Sequence, residues 1–309
     1  MKLKIWVALL VVYIVWGSTY LAIRFAVETI PPFFVAGSRA LLAGTILYIW
    51  RRLAGDPAPT GRQWLAGALV GLLLLLGGNG LVSWAEQKVA SGVAALLVGS
   101  APLWMAAIEA LRPGGVRPNW LGILGVTIGF CGIFLLVGPS LFDGKIADVQ
   151  PLGIGALLLA SLLWSLGSIT SRTANLPSSA LMSTSVEMLT GSAGLFIIGA
   201  LAGEGRMLHI TAVSLRSWLS LAYLTIFGSL IAFTAYAWLL REAPLTLVST
   251  YAYVNPLVAV ILGSWLAQEV LNARILVAAL VIIGSVVVIN VSRLGKAVSP
   301  RATAETENT

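Results

Sequence analysis

Charge is scarce in this sequence. Only 10% of its 309 residues are Asp, Glu, Lys or Arg, whereas 58% are hydrophobic and the mean hydropathy is +0.94. An average soluble domain carries about 25% charged residues. The composition therefore excludes an ordinary soluble fold and indicates a chain folded in a lipid bilayer.

Cysteine and histidine are nearly absent. Cys131 is the single cysteine, so no intrachain disulfide can form, and we interpret it as a small packing residue. His209 is the single histidine and falls in a predicted loop, which argues against a metal site and against a catalytic histidine. We expect no metal and no cofactor.

Catalytic motifs are also missing. H-E-x-x-H and G-x-S-x-G do not occur, and the predicted membrane segments contain neither Asp nor His. GPSLFDGKI at 138–146 differs from a P-loop in its glycine spacing and in the Ile that follows its Lys. A membrane-embedded enzyme acting on a lipid-like substrate stays as the alternative functional class. No basic surface interleaved with aromatic residues indicates a nucleic-acid partner.

Apolar segments long enough to cross a bilayer recur along the chain. A helix needs about 20 mostly apolar residues to span the hydrocarbon layer. Ten transmembrane helices are predicted, at 5–25, 33–50, 63–84, 92–111, 119–138, 151–171, 179–202, 215–239, 245–266 and 273–292. The first follows Lys2 and Lys4 but lacks an A-x-A cleavage site, which predicts an uncleaved anchor. The fold class is an all-α polytopic membrane protein.

Positive charge is distributed unevenly between the loops. An even number of crossings puts both termini on one side, and that side carries twelve of the 19 basic residues: Lys2, Lys4, Arg51, Arg52, Arg62, Arg112, Arg117, Arg172, Arg241, Arg293, Lys296 and Arg301. The opposite side carries six, balanced by six acids that include Glu86. The positive-inside rule therefore predicts that both termini are cytoplasmic.

The chain repeats itself. A shift of 148 residues superposes Trp16 on Trp164 and Arg39 on Glu187, and after a six-residue insertion a shift of 154 superposes Pro102 on Pro256. We therefore divide the chain into a first five-helix repeat at 1–145, a second at 146–293 and a disordered cytoplasmic tail at 294–309.

Five crossings is an odd number, so the second half enters the membrane from the opposite face. Such inverted repeats are typical of secondary transporters, which bind substrate near the midplane and alternate access by rocking one repeat against the other. Pro102 and Pro256 lie in matching places of the fourth and ninth segments. Proline removes a backbone donor, so a pair of interruptions favours a binding site there, and ordinary helix kinks are the alternative.

Arg39 and Glu187 are ionisable residues within predicted membrane segments. Each lies about 12 Å from its nearer boundary, on opposite sides, so their depths differ by only about 6 Å. Three interpretations stay open. The two residues form a buried structural ion pair, or Glu187 carries a coupling proton, or the pair clamps the carboxylate and amine of a zwitterion.

Polar and aromatic residues cluster near the middle of several segments. Trp16 and Trp164 lie too deep for the interfacial aromatic belt, so cavity lining is the functional interpretation and core packing the alternative. The predicted cavity residues are Trp16, Tyr20, Asn79, Ser83, Pro102, Trp164, Tyr236, Ser249, Tyr251, Tyr253, Asn255 and Pro256.

Several of these segments resemble a known family. WGSTY in the first segment, GGNGLVSWAEQ at 77–87, VEML around Glu187 and TYAYVNPLVAVILG at 250–263 are similar to the drug/metabolite transporter superfamily, and within it to EamA-type permeases of the bacterial inner-membrane YedA-like branch. The resemblance implies a ten-helix exporter of small metabolites. It also implies a central cavity lined by segments one, three, four, six, eight and nine.

The number of cations limits the cargo. Phosphorylated sugars and nucleotide conjugates call for several cations in the cavity, and Arg39 is the only basic residue that is not at an end of a predicted segment. We therefore expect a secondary active exporter of neutral or zwitterionic metabolites, such as amino acids or drug-like organic molecules, with proton exchange as one option. The expected partners are a small-molecule substrate, the lipid bilayer and protons, and no oligomeric state is assigned. The expected location is the bacterial inner membrane.

Overall fold

The computed structural model describes residues 2–112, 119–142 and 151–298, and the regular structure within these ranges is helical. Ten long helices follow one another there, numbered in chain order. Their bounds are α1 Leu3–Ala26, α2 Pro32–Leu53, α3 Gly61–Ala85, α4 Ser91–Leu111, α5 Trp120–Phe142, α6 Pro151–Ser171, α7 Ala180–Leu201, α8 Leu215–Glu242, α9 Tyr251–Leu266 and α10 Ala273–Val298.

These helices match the predicted segments. Among the described residues, seven helices are long and apolar enough to cross a membrane, and shorter apolar stretches lie in α5, α9 and α10. The prediction of an all-α polytopic membrane protein is confirmed. Residues 294–298 continue α10, although the sequence placed them in the tail. The predicted repeat boundary at 145 and tail residues 299–309 lie outside the described ranges.

The two halves pack in a pattern that is unchanged when the halves are exchanged. Three helices pack against their own counterparts: α2 against α7, α4 against α9 and α5 against α10. Other contacts come in matched pairs, α1–α8 with α6–α3 and α1–α9 with α6–α4. A twofold relation between the halves requires this pattern. Because each half has five spans, the relation inverts the second half in the membrane.

Acidic residues in the loops cap helices of the opposite half. Glu204, after α7, accepts hydrogen bonds from the backbone N–H groups of Phe33 (3.2 Å) and Phe34 (3.1 Å) at the start of α2. Its counterpart under the 148-residue shift is Asp56, after α2, which hydrogen-bonds Ser179, the N-cap residue of α7. Helix N-termini leave backbone donors without partners, so these carboxylates fasten each half to the other.

Glu269 caps α4 in a similar way. Its Oε1 accepts hydrogen bonds from the Ser91 N–H (2.7 Å) and from Ser91 Oγ (2.8 Å), and its Oε2 accepts one from the Gly92 N–H (3.1 Å). The loop between α9 and α10 in the second repeat is thereby tied to a helix of the first repeat.

Three helices contain π-helical stretches: Val12–Trp16 in α1, Leu72–Gly80 in α3 and Leu224–Phe233 in α8. The stretches in α3 and α8 occupy matching parts of the two repeats. A π turn holds more residues than an α turn and therefore rotates the side chains that follow it. Such turns are rare and are frequent at functional sites.

The two matched prolines are not equivalent in the structure. α4 is interrupted at residues 99–100, and Pro102 lies in the first turn of the helix that follows, where its missing N–H costs no helical hydrogen bond. Pro256 lies inside α9, and the ninth segment is interrupted earlier, at residues 249–250. Both matched segments are therefore interrupted, as predicted, but the breaks precede Pro102 and Pro256 by different distances.

Candidate functional site

A cavity lies where the two repeats meet. Its volume is about 60 Å³ for the centres of water-sized spheres, and it is formed by α1, α2, α3 and α4 of the first repeat with α6, α8 and α9 of the second. Its lining residues are Trp16, Thr19, Tyr20, Ile23, Arg39, Leu75, Gly78, Asn79, Val82, Val98, Ala160, Trp164, Gly228, Ser229, Phe233, Tyr251 and Asn255. The helices implied by the family resemblance all contribute, and α2 adds Arg39.

Seven predicted site residues line this cavity: Trp16, Tyr20, Arg39, Asn79, Trp164, Tyr251 and Asn255. Five others do not: Ser83, Pro102, Tyr236, Ser249 and Pro256. Ser83 is fully buried in α3, Pro256 packs on Gly99 of α4, and Tyr236 lies behind the tryptophans that line the cavity. The side chain of Tyr253 lies outside the described part of the structure.

Five aromatic side chains form a wall at one end of the cavity. The ring centroids of Trp16 and its repeat counterpart Trp164 are 5.3 Å apart, with the rings nearly perpendicular at 82°. Tyr236 and Tyr251 lie 4.8 Å and 5.6 Å from Trp16, and Phe233 lies 6.1 Å from Trp164. We name these five residues the aromatic partition. Because Trp16 and Trp164 contact each other, the twofold relation between the repeats passes through this wall.

Hydrogen bonds hold the partition in place. Trp164 Nε1 donates to the Tyr236 hydroxyl at 3.2 Å, and that hydroxyl also hydrogen-bonds Ser168 Oγ at 2.7 Å. Trp16 Nε1 donates to the carbonyl of Gly228 at 3.3 Å. Buried indole and phenol groups that have partners are rigid contact surfaces, so these bonds fix the positions of Trp16, Trp164 and Tyr236.

Arg39 is the one charged residue in the described lining of the cavity. It is 5% exposed and donates from Nη2 to Asn79 Oδ1. A guanidinium has five N–H donors, and this is the single hydrogen bond that the described residues accept from it. An arginine at the centre of a membrane helix costs about 2.5–3.5 kcal/mol to insert. The remaining donors therefore have no acceptor among the described residues.

Glu187 lies apart from Arg39. Their helices α2 and α7 pack together, as a pair would require, but none of the ion pairs among the described residues joins the two side chains. Glu187 instead accepts a hydrogen bond from Ser183 Oγ at 3.1 Å and lines a second pocket with Arg241. Phe233 lines both pockets. The structural ion pair, one of the three interpretations, is therefore not formed in the described part of the structure, because Glu187 bonds to Ser183 and lines a different pocket from Arg39. A coupling role for Glu187 stays a prediction.

Glu86 lies in the loop directly after α3, as the sequence predicts, but its burial was not predicted. It is fully buried there. Arg24 Nη1 donates to its backbone carbonyl at 2.5 Å, and Arg24, Arg39 and Glu269 all act electrostatically on its carboxylate. Burial and the charge of Glu269 raise the pKa of Glu86 well above its ordinary value, against the two arginines. No sequence signal marked this burial, because the charged groups that act on Glu86 come from α1, α2 and the loop before α10.

The small and apolar lining residues carried no sequence signal. These are Ile23, Leu75, Gly78, Val82, Val98, Ala160, Gly228, Ser229 and Phe233. In a membrane protein such residues also face lipid or neighbouring helices. Their place in the cavity therefore depends on how the helices are rotated.

The sequence profile of the EamA-like transporter family matches the chain twice, over residues 3–138 and 151–291. The chain belongs to the EamA-like transporter family. The first match takes in α1 to most of α5, and the second takes in α6 to most of α10. The protein is therefore a membrane transporter with two family units in one chain.

Relatives of this EamA-like transporter cover almost its whole length. It is 40% identical to the uncharacterized inner membrane transporter YedA of Escherichia coli, over 95% of this chain and 92% of YedA. It is 26% identical to a WAT1-related chloroplastic protein of Arabidopsis thaliana, over 92% of this chain and 69% of that protein. A crystal structure 19% identical in sequence has the same fold, with a TM-score of 0.65 over 94% of this chain and 96% of its own. The predicted family is confirmed.

Proposed function

We propose that this EamA-like transporter is a secondary active exporter of small zwitterionic or neutral metabolites, such as amino acids or drug-like organic molecules, and that it works by alternating access. The observation that carries the proposal is the cavity between the two repeats, which is closed at one end by the aromatic partition and contains one buried cation. Secondary transporters built from inverted repeats place their substrate sites at such an interface.

The chemistry of the lining selects the cargo. Arg39 offers several N–H donors to one carboxylate, and Asn79 beside it offers an amide. Most of the other lining groups are aromatic or aliphatic, which suits an apolar side chain. Multiply charged phosphates need more cations than the described lining provides. An amino acid with an apolar side chain satisfies all three conditions.

The partition is the element that must move. It combines Trp16 of the first repeat with Trp164, Phe233, Tyr236 and Tyr251 of the second, so rocking one repeat against the other separates its members. The cavity lies on one side of it and the Glu187 pocket on the other. Opening the partition connects the cavity with the Glu187 pocket. Closing the end of the cavity opposite the partition then completes the change of access from one side of the membrane to the other. We assign proton coupling to this cycle, with Glu187 as one candidate carrier.

The basic residues in the loops indicate the orientation of the chain in the membrane. The excess of Lys and Arg on the terminal side supports cytoplasmic termini in a bacterial inner membrane, and YedA is named an inner membrane transporter. With cytoplasmic termini α1 runs outward, so Ile23 lies on the outer side of Trp16. The cavity then lies toward the outer face and the Glu187 pocket toward the cytoplasm.

Inverted membrane vesicles test the proposal. Their interior corresponds to the outside of the cell, so an exporter fills them with labelled solute. A panel of labelled amino acids and cationic dyes is offered with and without an imposed proton gradient, and vesicles from cells that lack the protein are the control. We expect gradient-stimulated accumulation of apolar amino acids. No movement of any probe in any condition would contradict the proposal.

A further inference from the structure

We propose that Glu86 is the acidic partner of Arg39 at the substrate cavity. When ionised, it binds the ammonium group of a zwitterionic cargo, and when the cavity is empty it carries the proton that is exchanged. The inference rests on the proposed transport function and gives one site both specificity and coupling. It moves to Glu86 the amine-binding role that the sequence suggested for Glu187.

The first observation is a buried carboxylate without a hydrogen-bond partner. Glu86 is 0% exposed, and none of the described groups donates to either of its carboxylate oxygens. Buried polar groups are nearly always hydrogen-bonded, and a buried charge needs a partner. A carboxylate left in this state is suited to binding a cation that arrives and leaves, whether a proton or an ammonium group.

The second observation is the position of Glu86. Tyr20 and Arg39 both line the cavity and both lie within electrostatic range of its carboxylate. Val82 lines the cavity one helical turn before Glu86. In the proposed site a solute whose carboxylate binds Arg39 directs its ammonium group toward Glu86, which is buried behind the lining residues. The Glu187 carboxylate is separated from Arg39 by the aromatic partition.

The charged surroundings are consistent with a group that changes protonation. α1 contributes Tyr20 and Arg24, α2 contributes Arg39, and the loop before α10 contributes Glu269. Lys88 follows Glu86 in the chain but lies over the ring of Trp84, 5.9 Å from its centroid. The helix α6 packs against the end of α3 and has no charged residue. Burial and Glu269 favour the protonated acid, whereas the two arginines favour the carboxylate.

The sign of the coupling follows from this arrangement. An ammonium group and a proton cannot occupy the same carboxylate, so cargo binding expels the proton and the two are exchanged in opposite directions. If cargo bound only to Arg39, it would neutralise that cation and strengthen proton binding at Glu86. Cargo and proton would then move in the same direction, which opposes export against an inward proton gradient.

A carbodiimide experiment tests the proton site without any cargo. Dicyclohexylcarbodiimide reacts with protonated carboxyl groups in apolar surroundings, and mass spectrometry locates the adduct in the full-length protein in lipid nanodiscs. We expect labelling at Glu86 that falls as the pH rises and is lost in Glu86→Gln. No adduct at Glu86 at any pH would overturn the proposal, whatever the protein transports.

Transport in proteoliposomes tests the coupling role, with L-leucine as the probe. Two modes are compared: exchange of labelled for unlabelled leucine without a gradient, and accumulation driven by a proton gradient. We expect Glu86→Gln to lose gradient-driven accumulation at least tenfold while exchange persists with a higher KM, and Glu86→Asp to recover part of the driven mode with a shifted pH optimum.

The matched control is Glu28→Gln, which removes an exposed acid from the same side of the membrane. It is expected to behave as the wild type. Gradient-driven transport by Glu86→Gln at the wild-type rate would overturn the proposal, as would loss of both modes without recovery in Glu86→Asp. If the wild type moves no leucine in either mode, the proposed transport of amino acids fails, and the carbodiimide result still decides the protonation of Glu86.

Discussion

Replacing Arg39 with Met isolates the carboxylate-binding half of the proposed site. Arg39 is buried in α2, lines the cavity and donates to Asn79. Met matches the unbranched stem of arginine as far as Nε and has no charge, so the substitution removes the guanidinium while keeping an apolar side chain in the same place. We expect leucine transport to fall sharply and the amount of folded protein in the membrane to stay near normal.

The two expectations follow from separate free energies. Removing the cation relieves an insertion cost of about 2.5–3.5 kcal/mol but leaves Asn79 Oδ1 without its donor, which costs about 1–3 kcal/mol. These terms nearly cancel, so folding is little affected. A charge-assisted hydrogen bond to the cargo carboxylate is worth about 1.5–3 kcal/mol, which corresponds to a loss of about 10- to 150-fold in affinity.

The assay compares two probes that differ in the carboxylate. L-leucine carries it and leucinamide does not, so only leucine should lose affinity in Arg39→Met vesicles. The control is Arg216→Met, because Arg216 forms an exposed ion pair with Glu28 outside the cavity, and such surface pairs contribute little. If Arg39→Met lowers leucine and leucinamide transport by the same factor, Arg39 does not bind the carboxylate and the reasoning is refuted.

Three further predictions concern the acidic residues. Glu187→Gln is expected to keep normal membrane abundance, measured by immunoblot, because Gln still accepts a hydrogen bond from Ser183. Proton-driven leucine transport by this variant is expected to fall. Low abundance would instead indicate a structural role for Glu187. Glu204→Ala is expected to lower stability by about 1–2 kcal/mol through loss of a helix cap, seen as a lower melting temperature in detergent, and an unchanged melting temperature would contradict this. Arg51 and then Ser179 lower the pKa of Asp56 from 3.8 to about 2, so its contribution to stability is present above about pH 4 and is lost as the pH falls toward 2. In acid unfolding, the difference between wild type and Asp56→Asn should shrink over that range, and a constant difference would contradict it.

Helix number and internal repetition could be predicted because both depend on local physics. The thickness of the bilayer fixes the length of an apolar segment, so the predicted limits of α2, α4 and α6 agree with the structure within a few residues. The 148-residue shift that superposes Trp16 on Trp164 identified two side chains that meet at the partition. Duplication preserves such positions, and the sequence displays them directly.

The direction of each side chain around its helix could not be predicted. Arg39 and Glu187 were predicted at similar depths, and their helices α2 and α7 do pack together, but the two side chains face different pockets because packing sets the rotation of each helix. The π-helical stretches change that rotation within a helix, as at Asn79 in α3. The burial of Glu86 was missed for a related reason. The charges that act on its carboxylate include Arg24 and Arg39, which come from two other helices.

Reciprocal accessibility on the two sides of the aromatic partition tests the central claim most directly. In a Cys131→Ser background, a single cysteine replaces either Val82, which lines the cavity, or Ala237, which lines the Glu187 pocket. A water-soluble thiol reagent is applied from each side of the membrane, with leucine and proton gradients of either sign. Alternating access predicts that any condition that increases the reaction of one cysteine decreases that of the other, each from its own side. Simultaneous reaction of both positions from one side would show a continuous pore and contradict the account.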